Sequence, residues 1–140
     1  MSTSFLLLLE NNAPFDTTDD NGRTIIYEGI KSGFSSVIST ILDYQKNNNL
    51  PSLLKIKDKE GNTPLNQAIL FGNDDIVTLL MEYGSNPQLQ NNNGYTALHL
   101  AIKKKMENVI PVIINDMDNI NIKNNIGETP LHLSINHNLD

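Results

Sequence analysis

Cysteine is absent from the 140 residues, which excludes disulfides and thiolate metal sites and fits a reducing compartment. Arginine is nearly absent too: Arg23 stands alone against nine lysines. No block of like charge is longer than Lys103-Lys104-Lys105, and the net charge is -6. The chain therefore has no concentrated basic face for nucleic acid or an anionic membrane. The apolar run Phe5-Leu6-Leu7-Leu8-Leu9 is too short to span a bilayer. It also lacks the basic flank and small-residue cleavage site of a signal peptide, so we read it as a helix fragment.

Catalytic and cofactor signatures are missing as well. Ser32, Ser35, Ser36, Ser39 and Ser85 are scattered, and none lies in a Gly-x-Ser-x-Gly elbow. Neither a Gly-x-x-x-x-Gly-Lys-Ser/Thr loop nor a Gly-x-Gly-x-x-Gly loop occurs. Asp74-Asp75 pairs two carboxylates, but capping and dipole complementarity at a helix start explain it. Asp16, Asp19 and Asp20 before Asn21-Gly22 loosely suggest a calcium loop, yet the bidentate Glu at its twelfth position is lacking. We therefore expect no enzyme activity, cofactor or metal site.

What the sequence does hold is ordinary in bulk and specific in arrangement. Hydrophobic residues make up 39%. A chain of this length suits one domain that buries roughly two-thirds of its unfolded surface. Asparagine, isoleucine and lysine are favoured, as an AT-rich coding sequence produces, hinting at a protist, a yeast-like fungus, a large virus or an AT-rich bacterium.

The arrangement is a repeat. Asp58-Lys-Glu-Gly61-Asn-Thr63-Pro64-Leu65 returns as Asn91-Asn-Asn-Gly94-Tyr-Thr96-Ala97-Leu98, and again as Asn124-Asn-Ile-Gly127-Glu-Thr129-Pro130-Leu131. Gly61, Gly94 and Gly127 are 33 residues apart. A weaker copy, Asp19-Asp-Asn-Gly22-Arg-Thr24-Ile25-Ile26, lies 39 residues before the Gly61 unit and so carries six extra residues. Each glycine suits a turn of positive φ. Thr then Pro suits a helix start, a hydroxyl cap followed by a ring pre-set for the first turn. Leu65, Ala68 and Ile69, and again Leu98, Ala101 and Ile102, share one helical face.

A second helix follows each first one. Ile76, Val77, Leu79, Leu80 and Met81 form its apolar face, Asp74 or Asp75 can cap it, and Gly84 can end it. Val109, Ile110, Val112, Ile113 and Ile114 take the same places, with Pro111 early enough in the helix to be tolerated. In the weaker copy Val37, Ile38, Ile41 and Leu42 serve. Its extra residues, Gln45 to Pro51, predict a lengthened helix or loop.

These residues resemble the ankyrin repeat family, whose signature is Thr-Pro-Leu-His-x-Ala at a period of 33. Thr129-Pro130-Leu131-His132-Leu133-Ser134 and Thr96-Ala97-Leu98-His99-Leu100-Ala101 carry it nearly whole. Thr63-Pro64-Leu65-Asn66-Gln67-Ala68 has Asn for His, and Thr24-Ile25-Ile26-Tyr27-Glu28-Gly29 keeps the Thr and a small last residue. The resemblance implies an all-α repeat solenoid of helix-turn-helix units joined by short β-hairpin loops. One domain over 1–140 divides into the end of a preceding unit (1–18), a lengthened repeat (19–57), two full repeats (58–90 and 91–123) and a truncated one (124–140). Neither end looks like a polar capping repeat, so we expect a piece of a longer array. His99 and His132 then serve as bonds between neighbouring repeats, and His137 as a surface residue.

The resemblance also implies a protein-binding module, intracellular in the cytoplasm or nucleus. It would be monomeric, or stacked end to end through its exposed ends. The alternative is a regulatory domain of a larger signalling enzyme or transcription regulator. Contacts are expected on the concave face. The tip positions are Asp20, Asn21 and Arg23; Lys59, Glu60 and Asn62; Asn92, Asn93 and Tyr95; and Asn125, Ile126 and Glu128. The first-helix positions are Lys31, Ser32, Leu70, Phe71, Lys103, Lys104, Asn136 and His137. Leu70, Phe71, Tyr95 and Ile126 are large apolar groups able to cluster as anchors. The competing reading has Phe71 folded back on a neighbouring repeat and Lys103-Lys104 on a solvated face. By position alone, Asn121 resembles asparagines that are hydroxylated in some members of the family.

Overall fold

The computed structural model describes residues 3–138, with side chains from 4 to 136. Among these residues lie eight α-helices and no strand. They are α1 (Thr3–Glu10), α2 (Tyr27–Ser32), α3 (Ser35–Asn47), α4 (Pro64–Leu70), α5 (Asp74–Glu82), α6 (Ala97–Lys103), α7 (Ile110–Asn115) and α8 (Pro130–Asn138). Within each unit the first helix packs on the second: α2 on α3, α4 on α5, α6 on α7. Between units the first helices stack as α2, α4, α6, α8, and the second helices as α3, α5, α7.

Local chemistry starts these helices where the repeat predicts, with two corrections. Thr63 and Thr96 accept the N–H of Asn66 and His99 at 3.2 and 3.4 Å, with Pro64 in the first turn of α4. The cap of α5 is Asn73, whose Oδ1 accepts the Ile76 N–H at 3.0 Å; Asp74 and Asp75 are the first two residues of the helix and complement its dipole instead. The weaker copy departs further. Ile25 and Ile26 stand where Pro-Leu stand elsewhere and form a turn, with the Tyr27 N–H on the Thr24 carbonyl at 3.1 Å. Helix α2 thus begins three residues past Thr24, without a side-chain cap.

Its six extra residues go into a 13-residue α3, a left-handed Asn49 (φ 52°) and a 3-10 turn at Leu53–Lys55. Gln45 Oε1 holds that turn by accepting the Leu53 N–H at 2.9 Å. Gly84 ends α5 with φ 89°, while the Ser85 N–H reaches back to the Leu80 carbonyl. Pro111 is the second residue of α7, where no helical donor is lost.

The core is one continuous strip between the two helix layers. Ile26, Ile30, Ile38, Leu42, Leu53, Leu65, Ile69, Ile76, Leu80 and Ile113 are fully enclosed. Burying each such side chain contributes about 1.5–3 kcal/mol. Phe5 and Leu9 of α1 pack against this strip, so the early apolar run is a helix seated on the first unit. One expected core position fails: Ile114 is 41% exposed, whereas its counterpart Met81 is buried. Helix α7 packs against α5, but no second helix follows α7 among the described residues.

Candidate binding surface

The tips that carry most of the candidate residues are turns without strand pairing among the described residues, a correction to the expected hairpins. Each is locked from its first residue. Asp58 Oδ1 accepts the N–H groups of Glu60 and Asn62, both at 2.9 Å. Asp19 does the same for Asn21 and Arg23, Asn91 for Asn93 and Tyr95, and Asn124 for Ile126 and Glu128. These donors hold the Asp19 carboxyl below its ordinary pKa, the Arg23 N–H foremost. Of the three carboxylates in that stretch, Asp19 thus has one oxygen engaged by its own turn.

Tip is then joined to tip. The backbone N–H groups of Lys59, Asn92 and Asn125 each donate to the preceding tip, on Asn21, Glu60 and Asn93, at 3.0 Å. The Nδ2 groups of Asn92 and Asn125 add bonds to the carbonyls of Lys59 and Asn92 at 2.8 and 2.7 Å. The approach is so close that a Cβ on Gly94 would lie 2.6 Å from the Asn125 nitrogen, at a φ of 79° that already disfavours side chains.

On this frame the candidates fall into two groups. Arg23, Lys59, Glu60, Leu70 and Phe71 line one groove of about 180 Å³ between the lengthened repeat and the next. Tyr27 completes it. Its ring lies 5.8 Å from that of Phe71, and the Arg23 guanidinium sits over it, 4.2 Å from the ring centroid. Phe71 thus contacts the preceding repeat, as the competing reading expects, and remains 43% exposed. Tyr95 heads the second group. Lys103 Nζ lies 4.4 Å over its ring and 3.3 Å from its hydroxyl, so Lys103 leans on the ring while remaining exposed.

Other candidates are held differently. Asn62 also borders the groove but is only 3% exposed, and its Oδ1 accepts from Asn91 Nδ2 at 3.0 Å, so its side chain links tips. The Glu128 carboxylate is engaged by Asn124 and Asn136. Asn92 is exposed but tied into the ladder, while Asn93 and Lys104 are exposed. Ile126 is 77% exposed and belongs to neither group, so the four apolar candidates do not form one cluster. Asn121 is exposed, with its N–H on Asn119 Oδ1. The side chain of His137 lies outside the described residues.

His99 is wholly buried, and its role is the bridging one. The Thr96 N–H donates to Nδ1 at 3.1 Å, which makes Nδ1 an acceptor and puts the proton on Nε2. Nε2 then donates to the Glu128 carbonyl of the next unit at 3.0 Å. Burial lowers the pKa of this imidazole, and the bond to Glu128 opposes that shift without cancelling it. His132 repeats the bonds to Thr129 at an exposed position.

Sequence reasoning missed Tyr27 and the first tip residues. Tyr27 occupies the histidine position of the weakest copy, where an aromatic in place of the bridging residue was the available signal. The acidic or amide residue three places before each glycine recurs four times and was equally readable.

Comparison with known proteins agrees with this architecture. The family model described as ankyrin repeats (3 copies) matches residues 2–91 and 83–140. An ankyrin repeat protein of Acanthamoeba polyphaga mimivirus is 32% identical over 91 residues, 65% of this chain. The chain spans 12% of that relative's length. With the period of 33, the stacked helix pairs and a family match over almost its whole length, the chain belongs to the ankyrin repeat family.

Proposed function

We propose that the chain binds a partner protein through its concave face, with the groove around Phe71 as the main contact and Tyr95 with Lys103 as a second. Membership of the family supports an interaction module in general. The observation that carries the finer reading is the groove itself. Two neighbouring repeats leave Leu70 and Phe71 36% and 43% exposed there, beside Tyr27 and beneath charged tips. An aromatic group set in a polar rim is the make-up of an interface hot spot.

The test is affinity capture from source cells with the chain and its Phe71→Ala/Tyr95→Ala form. A protein retained only by the unaltered chain, with equal far-ultraviolet circular dichroism for both, supports the assignment. Equal retention by both moves the interface elsewhere. A second reading is a regulatory domain within a larger signalling enzyme or transcription regulator, favoured by the 12% of the mimivirus relative that the chain spans. A catalytic signature in sequence beyond residue 140 would support it.

A further inference from the structure

The groove's unmet hydrogen-bonding capacity defines the chemistry of its occupant. Resting on the concave-face reading, we propose that it takes an acidic peptide segment in which an Asp or Glu lies within two residues of a large apolar side chain. The carboxylate would meet Arg23 and Lys59, and the apolar group would lie on Leu70 and Phe71.

The argument is an inventory of donors and acceptors. Arg23 and Lys59 both line the groove, and among the described residues neither forms a side-chain ion pair, although the Asp19 carboxylate lies close enough to both for their charges to help lower its pKa. Asp58, which also lines it, has both carboxylate oxygens engaged: Oδ1 by the Glu60 and Asn62 N–H groups, Oδ2 by Gln67 Nε2 at 3.1 Å. Glu60 is the one lining carboxylate not taken up in this way. The free capacity is thus mainly that of donors, several N–H groups on Arg23 and three on Lys59. The Arg23 guanidinium carbon lies 4.2 Å from the centroid of the Tyr27 ring, a cation–π contact that restricts where its N–H groups can meet a carboxylate. Next to these donors the groove offers Leu70 and Phe71, exposed and apolar. A ligand that satisfies both halves must join an anion to an apolar side chain, and an acidic peptide does so at adjacent positions.

The experiment is a selection from a phage-displayed random dodecapeptide library on the immobilised 140-residue chain. Enriched peptides are then titrated as fluorescein conjugates by anisotropy. The expected consensus has Asp or Glu within two residues of Leu, Ile, Met or Phe. Arg23→Gln/Lys59→Gln should weaken binding about tenfold or more, the effect of losing hydrogen bonds to a charged group. Should the double form lose helix content, Lys59→Glu replaces it, because Lys59 is exposed and its side chain makes no bond within the fold. Glu60→Gln should tighten binding. Neutral or basic peptides lost on Phe71→Ala would overturn the acidic occupant and leave the concave-face reading standing. Peptides indifferent to both sets of substitutions would overturn both. An empty selection, or an oligothymidylate bound as tightly as the best peptide, would also overturn the proposal.

Discussion

The unit of α4 and α5 and the unit of α6 and α7 are built alike, and one of their buried differences is polar and bears on how each holds its neighbour. Both have a Thr-capped first helix, an Asx-locked tip and a glycine pressed against the next tip. At the third helical residue one has Asn66 and the other His99. His99 spans the gap to the next unit, whereas Asn66 is 1% exposed and its Nδ2 has no partner. The shorter side chain keeps the burial and loses the bridge. The two repeats therefore hold their neighbours with unequal strength, although their backbones follow the same plan. A buried donor left unpaired costs about 1–3 kcal/mol, so the difference should be measurable.

The largest effect should come from breaking what the two repeats share. Gly94→Ala forces a side chain into a left-handed turn and against the Asn125 backbone. We expect a loss of about 2 kcal/mol or more, read by urea denaturation. Gly84→Ala has a similar φ, but nothing lies within 4 Å of the added carbon, so it should cost less. Exchanging the differing residues sharpens the contrast next. His99→Asn should destabilise by about 1–2 kcal/mol, and Asn66→His should stabilise by about 1 kcal/mol by restoring a bridge.

A further contrast is in pH. Unfolded chain takes up a proton near the ordinary histidine value of 6.5, while buried His99 resists it. Its contribution is therefore fully present above about pH 6.5 and is lost as pH falls below that towards the lower folded value. Midpoints measured from pH 7 to 5 should fall more steeply for the parent than for His99→Asn. Asp19 also has a lowered pKa, but its loss of stability sets in only as pH falls below the ordinary carboxylate range. The smallest effect is expected at Lys103→Ala, about 0.5–1 kcal/mol from the contact with Tyr95, by the same denaturation measurement.

The same contrast explains what could be read from the sequence. The turn glycines do one physical job in every unit, and the capping threonine does so in three (Thr63, Thr96 and Thr129), so repetition exposed them and made the fold legible. Asn73 escaped because two carboxylates followed it and either could cap in principle. Asn62 looked like a free tip residue, since its neighbours Lys59 and Glu60 are exposed; only the stacking of tips shows its side chain directed at Asn91. The surface was least legible. Tyr27 joins Phe71 across a repeat boundary, and Tyr95 joins Lys103 within one repeat, neither at a repeated offset. Positions free of scaffold duty carry no period, so their partners emerge only once the helices are stacked.

Hydrogen–deuterium exchange of the chain with and without its captured partner tests the division between shared scaffold and variable concave face most directly. The account predicts new protection at the tips and first helices, residues 20–32 and 58–71 above all. Protection confined to the outer faces of α5 and α7 would contradict it.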